Sequence, residues 1–158
     1  MKGQVMKDTA VEVPANAVWD VYRGLELARL VDELLPDVIG RVEVVEGDGS
    51  VGTIVKVTFP PGNRTPGAGY MKERFTKVDD ETRIKETELI EGGHKDVGLD
   101  AYRIRLEIIE KDEKSSVIRT TIEYENDDKL ADVASQITTK PLEIIAETIG
   151  KYLGEKKA

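Results

Sequence analysis

The sequence predicts an α+β fold. A curved antiparallel sheet of about seven strands grips a long C-terminal helix, the helix-grip arrangement, with two short helices near the start. Three observations predict it. Strand-like runs rich in β-branched residues follow one another through the middle of the chain with only tight turn signals between them, which pairs them antiparallel. The helical patterns lie outside that run of strands, unlike the alternation of α/β proteins. The final helical segment carries one apolar stripe, the face a concave sheet would cover. A sheet curled around such a helix leaves an internal apolar cavity, where ligands tend to sit.

The elements follow in order. Residues 2–13 alternate weakly and read as a strand closed by Val13-Pro14. Residues 15–34 read as helical, with Val18, Trp19, Tyr22, Leu25, Leu27, Leu30, Val31 and Leu34 at spacings near 3.6. Gly24 divides this stretch into two short helices, and Pro36 ends the second. RVEVVE, VGTIVKVTF, the hairpin around Val78-Glu81, LDAYRIRLEII and SSVIRTTIEYE supply the strands. Gly47-Asp48-Gly49, Pro60-Pro61-Gly62, Gly92-Gly93 and Lys111-Asp112-Glu113 separate them. From about Asp127 to Leu153 the residues Leu130, Val133, Ala134, Ile137, Leu142, Ile145, Ile149 and Leu153 form the long stripe. Pro141 falls inside it and should kink or locally break the helix. With no repeat, linker or composition shift, residues 1–158 are expected to form a single ligand-binding or catalytic domain.

Charge and composition narrow the function classes. With 31 acidic and 23 basic residues the formal net charge is -8, which disfavours nucleic acid as a partner. No run of eighteen apolar residues offers a membrane-crossing helix. MKGQVMKDTAVEV lacks the apolar core of a secretory signal, so a cytoplasmic protein is expected. The absence of cysteine and the single histidine, His94, leave no basis for a thiolate or His-rich metal centre, and no metal is expected. His94 and nearby Asp96, in EGGHKDVG, read as loop residues without a catalytic role.

Two stretches invite a chemical reading. In EGDGSVGTI the glycines Gly47, Gly49 and Gly52 could cradle a phosphate, but no Gly-Lys-Ser/Thr follows and the loop opens no helix. A structural hairpin loop is the better reading. In YMKERFTKVDDETRIKE strand parity places Met71, Glu73 and Phe75 on one face, and Tyr70, Lys72 and Arg74 on the other. Lys85 shares a face with Leu89, opposite Ile84, Glu86 and Glu88. Further on, Tyr102, Ile104, Leu106 and Ile108 share one face, with Arg103, Arg105 and Glu107 on the other. Glu73 and Lys85 therefore read as facing inward. Burial would raise the carboxyl's pKa and lower the ammonium's, suiting both to acid–base work near neutral pH. The alternative is an ordinary cross-strand ion pair.

The pieces LLPDVI, EGDGSVGTI, KERF, VDDETRIKE, IEGGHKDVG, SSVIRTTIEYE and TTKP, in this order, resemble the plant pathogenesis-related class-ten proteins, the Bet v 1-like (START-like) family of the major birch-pollen allergen. The likeness spans essentially the whole chain. Within the family it is nearest to the branch of norcoclaurine and norbelladine synthases, and nearer to the latter through Tyr-x-x-Glu-Arg-Phe followed by Arg-Ile-Lys-Glu. The resemblance implies a cofactor-free condensation of a phenethylamine, of tyramine or dopamine type, with an aromatic aldehyde to an imine in alkaloid biosynthesis. Tyr70, Glu73 and Lys85 would be catalytic, with Met71, Phe75, Tyr102, Ile104 and Leu142 lining the cavity. Pictet–Spengler cyclisation is less expected, because Met71 and Ile104 stand where the norcoclaurine synthases carry a tyrosine and an aspartate. Reduction of the imine would need NADPH entering the cavity or, in preference, a partner reductase. The chain is expected to be a monomer or weak homodimer. The rival function is a non-catalytic carrier of apolar plant ligands such as cytokinins, flavonoids or sterol-like molecules. A ribonuclease activity, also ascribed to the family, fits the acidic charge poorly.

One conflict remains. Tyr70 and Glu73 are three residues apart, so a regular strand sends them to opposite faces. If both serve one cavity, the backbone between Gly67 and Lys72 must be irregular.

Overall fold

The computed structural model describes residues 2–62, 69–126 and 137–156. Strand β1 (Lys2–Val11) leads into helices α1 (Ala15–Tyr22) and α2 (Glu26–Leu34). Six strands follow: β2 (Arg41–Glu46), β3 (Ile54–Thr58), β4 (Tyr70–Asp79), β5 (Ile84–Gly92), β6 (Leu99–Asp112) and β7 (Ser115–Asn126). Helix α3 (Lys140–Lys156) comes last, and a 3-10 helical turn, Gly93–Val97, joins β5 to β6. The seven strands form one sheet in the order β1-β7-β6-β5-β4-β3-β2, every pair antiparallel. Neighbours in space are neighbours in sequence except where β1 closes onto β7, as hairpin-length connections dictate.

The helices pack on the concave face of this curved sheet, where Val18, Trp19, Leu30, Ile108, Ile118, Ile122 and Ile149 belong to one buried cluster. Each fully buried aliphatic side chain contributes roughly 1.5–3 kcal/mol. Close approach of α3 to β1 depends on Gly150, where a Cβ would come within 2.5 Å of Val11 Cγ1. The convex face carries the charges that parity assigned to it. Arg105 pairs with Glu86 at 2.8 Å and Glu123 at 2.9 Å, and Arg119 pairs with Asp8 at 2.8 Å.

Two expectations change. The first strand stops at Val11 instead of residue 13, and Val13 is fully buried with its carbonyl accepting from Ser116 Oγ at 2.8 Å. The long helix starts at Lys140, with Ile137–Thr139 non-helical. Pro141 therefore sits in the first turn, where the N–H it lacks would have had no intrahelical partner. Thr139 Oγ1 donates to Glu143 at 2.9 Å, and Lys140 N–H donates to Thr138 Oγ1 at 3.1 Å, holding that start. The expected helical residues 127–136 lie outside the described residues.

Candidate active site

Strands β4 and β5 build one wall of the cavity. Their ladder is broken twice, between Lys72/Glu73 and Phe75/Lys77. The first shift leaves Ile90 as the extra residue on β5, and the second leaves Thr76 extra on β4. Between the bulges Glu73 faces Leu89 and Phe75 faces Thr87; beyond them Val78 faces Lys85. All six turn inward. Glu73, Phe75, Lys85 and Thr87 line a cavity with Met71, Ile104, Leu106, Leu142 and the α2 residues Leu27, Ala28 and Val31. It offers about 110 Å³ to the centres of water-sized molecules, several times the roughly 10–15 Å³ one water needs.

Lys85 is 2 % exposed. Its ammonium donates to the carbonyls of Tyr22 at 2.8 Å and Gly24 at 3.2 Å and lies 3.8 Å from the centroid of the Phe75 ring. Those carbonyls stand at the C-terminal end of α1, where backbone acceptors lack helical donors and the dipole favours a cation. The end of α1 is held over β5 by Asp80, which accepts from Trp19 Nε1 at 2.9 Å and from Arg23 at 2.9 and 3.0 Å. No carboxylate among the described residues lies within 4.0 Å of Lys85 Nζ. Glu73 acts on it through space across the cavity.

Burial pushes the Glu73 carboxyl up to about 7, against the opposing charge of Lys85. Burial likewise pushes the Lys85 ammonium down to about 7, against the opposing charge of Glu73. An acid and a base are thus poised near neutrality on an otherwise apolar wall. Among the described residues no cluster of three or more His, Asp or Glu side chains is placed to hold a metal ion, and no helix is long and apolar enough to cross a membrane.

The model of the Pathogenesis-related protein Bet v 1 family matches residues 1–156. The chain belongs to the Bet v 1 family. It is 50% identical over 158 residues to the norbelladine synthase of Narcissus pseudonarcissus, covering 100% of this chain and 96% of that protein. It is 40% identical to S-norcoclaurine synthase 2 of Papaver somniferum, covering 99% and 68%. The norcoclaurine synthase of Thalictrum flavum, solved in complex with dopamine and hydroxybenzaldehyde, matches with a TM-score of 0.89 at 34% identity, covering 100% of this chain and 90% of that one.

Met71, Phe75, Ile104 and Leu142 line this Bet v 1 cavity. Tyr70 does not join them. It pairs with Thr58 while Met71, Lys72, Glu73 and Arg74 pair in step with β3, so β4 is regular on that side. The bulge falls on β5, at Ile90, and strand alternation sends Tyr70 outward. Its hydroxyl donates to Glu91 at 2.8 Å, and Lys56 Nζ lies 4.9 Å from its ring centroid. Residues 67–68, part of the expected irregularity, lie outside the described residues. Tyr102 is not a wall residue either. It faces inward beside the cavity, its ring edge-on to His94 with centroids 5.2 Å apart, and near enough to Glu73 for that charge to add to the burial that raises its pKa.

Gly47, Gly49 and Gly52 lie in the loop between β2 and β3. Gly47 and Gly49 have φ of +97° and +104°, and a Cβ on Gly47 would come within 2.5 Å of Thr53 Oγ1. Gly49 N–H donates to Thr53 Oγ1 at 2.8 Å, so the loop's conformation has internal support. Sequence reasoning overlooked Thr87, although it has the parity of Lys85 and Leu89. It also had no means of finding the Tyr22 and Gly24 carbonyls, because backbone acceptors carry no residue signature.

Proposed function

We propose that this chain condenses an arylethylamine of tyramine or dopamine type with an aromatic aldehyde such as 3,4-dihydroxybenzaldehyde to an imine, in alkaloid biosynthesis. The observation that carries the reading is the Glu73–Lys85 pair: the two charged groups of an apolar cavity wall, unbridged, each near neutrality. The likeness to the Narcissus and Papaver synthases supports it.

The chemistry follows from the groups present. Glu73, ionised in the fraction that binds an ammonium, takes a proton and frees the amine lone pair. The amine nitrogen attacks the aldehyde carbon, and the proton that the nitrogen then sheds passes to the carbonyl oxygen to give the carbinolamine. Lys85 directs its remaining N–H toward that oxygen or toward a phenolic oxygen of the substrate. Glu73, now protonated, protonates the hydroxyl as it leaves as water, and the nitrogen's proton returns to the carboxylate. Such positioned proton transfers contribute typically 10²–10⁴-fold each. The apolar walls add proximity and exclude bulk water, which favours dehydration. Glu73 then releases to water the proton the substrate ammonium brought, which restores the carboxylate and closes the proton balance without a cofactor. Reduction of the imine would draw its hydride from outside this chain, from a partner reductase or from NADPH admitted to the cavity. Ile104 offers no acid–base group on β6, so the reaction stops at the imine in preference to cyclising. Tyr70, outside the cavity, takes no part.

The test is to incubate the protein with tyramine and 3,4-dihydroxybenzaldehyde, quench with borohydride, and quantify the trapped secondary amine against a buffer control. Enhancement over buffer supports the reading. No enhancement, together with micromolar displacement of an apolar dye by cytokinins or flavonoids, assigns the cavity to carriage instead.

A further inference from the structure

We propose that Thr87 is a substrate-binding residue of this cavity, its hydroxyl taking a ring hydroxyl of a phenolic substrate jointly with Lys85. The proposal rests on the condensation reading and names the grip that reading leaves open. Thr87 is 5 % exposed and lines the cavity from the inward face of β5, two residues from Lys85. Phase along the ladder puts it opposite Phe75 on β4 and Ile104 on β6, in the middle of the wall. Its hydroxyl makes no hydrogen bond among the described residues, and its side chain lines the cavity. A buried hydroxyl without a partner pays its desolvation uncompensated, which an occupant bearing a hydroxyl relieves.

Lys85 and Thr87 are same-face neighbours on β5 and line the same volume, and together they select the occupant. Two of the N–H groups of Lys85 are committed to Tyr22 and Gly24, leaving at most one for a substrate. A phenolic hydroxyl seated between the two residues can accept from Lys85 and donate to Thr87. Its ring then lies against Phe75, Ile104 and Leu106, all lining the same volume. A simple alcohol would forgo that apolar contact, and an unsubstituted ring would leave Thr87 unpaired. Sites built to bond a substrate hydroxyl discriminate strongly against the analogue that lacks it.

The alternative is that Thr87 is present only as a β-branched strand former, and two substitutions separate the cases. Thr87→Val keeps the shape and removes the hydroxyl; Thr87→Ser keeps the hydroxyl and removes a methyl. Calorimetric titration of each protein with tyramine and phenethylamine, and with 4-hydroxybenzaldehyde and benzaldehyde, shows whether the bound hydroxyl belongs to the amine or to the aldehyde. In at least one pair the wild type should prefer the hydroxylated member. Thr87→Val should weaken that member roughly 10-fold, the scale of one neutral hydrogen bond, and leave its unsubstituted analogue within about twofold. Thr87→Ser should retain the preference. Equal loss for both members of each pair in Thr87→Val, equal behaviour of the Ser and Val variants, or no preference in the wild type would overturn the assignment. Because the readout is binding, it is independent of turnover. A wild type that prefers the phenol but forms no imine keeps the Thr87 assignment and removes the condensation reading.

Discussion

Replacing Glu73 with glutamine should make the protein more stable in alkali and inactive at once, and the stability gain has a predictable pH dependence. Burial raises the Glu73 carboxyl from 4.5 to about 7 in the folded protein. At 1.36 kcal/mol per pH unit that corresponds to about 3 kcal/mol. The sign follows from the proton count. Below pH 4.5 the carboxyl is neutral in both states and contributes nothing. Between 4.5 and 7 the unfolded chain releases the proton that the folded protein keeps, so stability falls as pH rises. Above 7 both states are ionised and the full cost persists, with Lys85 increasingly neutral and unable to offset it. Glu73→Gln removes this titration. Its stability relative to wild type should therefore rise from a baseline at pH 4 by about 3 kcal/mol at pH 8. For a chain of this length each kcal/mol moves Tm by about 2–4 °C, so the difference between the two Tm values should widen by roughly 6–12 °C. Calorimetric or circular-dichroism melts across that range measure it. The burial of the amide itself adds an offset that does not vary with pH, so the slope is the readout. A difference in Tm that stays flat from pH 4 to 8 would refute the claim that Glu73 is held neutral by the cavity.

Four further predictions come from the same geometry. Condensation should follow a bell-shaped pH profile centred near neutrality, since protonation of Glu73 ends activity on the acid side and deprotonation of Lys85 on the alkaline side; a rate flat from pH 5 to 9 would contradict it. Lys85→Met should remove the opposing charge that restrains the Glu73 carboxyl and move its titration, followed by carbon NMR of the labelled side chain, above the wild-type value. Tyr70→Phe loses only an exposed hydrogen bond to Glu91, so the condensation rate should stay within about twofold and stability within about 0.5 kcal/mol. Gly150→Ala should destabilise by about 1–3 kcal/mol in denaturant titration, because the added methyl meets Val11 across the α3–β1 contact.

Much of the fold is legible in the residues. Alternation identifies β6 because one face is packed and the other carries Arg103, Arg105 and Glu107. The same period correctly separates Glu73 from Tyr70. The resemblance pulled Tyr70 back toward the cavity, and the structure sides with parity because β3 holds β4 in regular register. Pro141 was legible as a break but not as a start, since the local pattern runs through it and the capping by Thr139 and Thr138 becomes clear only in three dimensions. The bulges at Ile90 and Thr76 have no marker at those residues and show only in the pairing of β4 with β5. The setting of Lys85 was half legible. Its inward face follows from parity, whereas its anchoring to the end of α1 depends on how Trp19 and Arg23 reach Asp80.

The central claim is that Glu73 and Lys85 together turn this cavity from a container into a catalyst. It is tested most directly by initial rates of imine formation from tyramine and 3,4-dihydroxybenzaldehyde at pH 7, compared among wild type, Glu73→Gln and Lys85→Met after each is shown to be folded. The account predicts a wild-type rate well above buffer and a loss of about 10²-fold or more in either variant. Variants as fast as the wild type would contradict it.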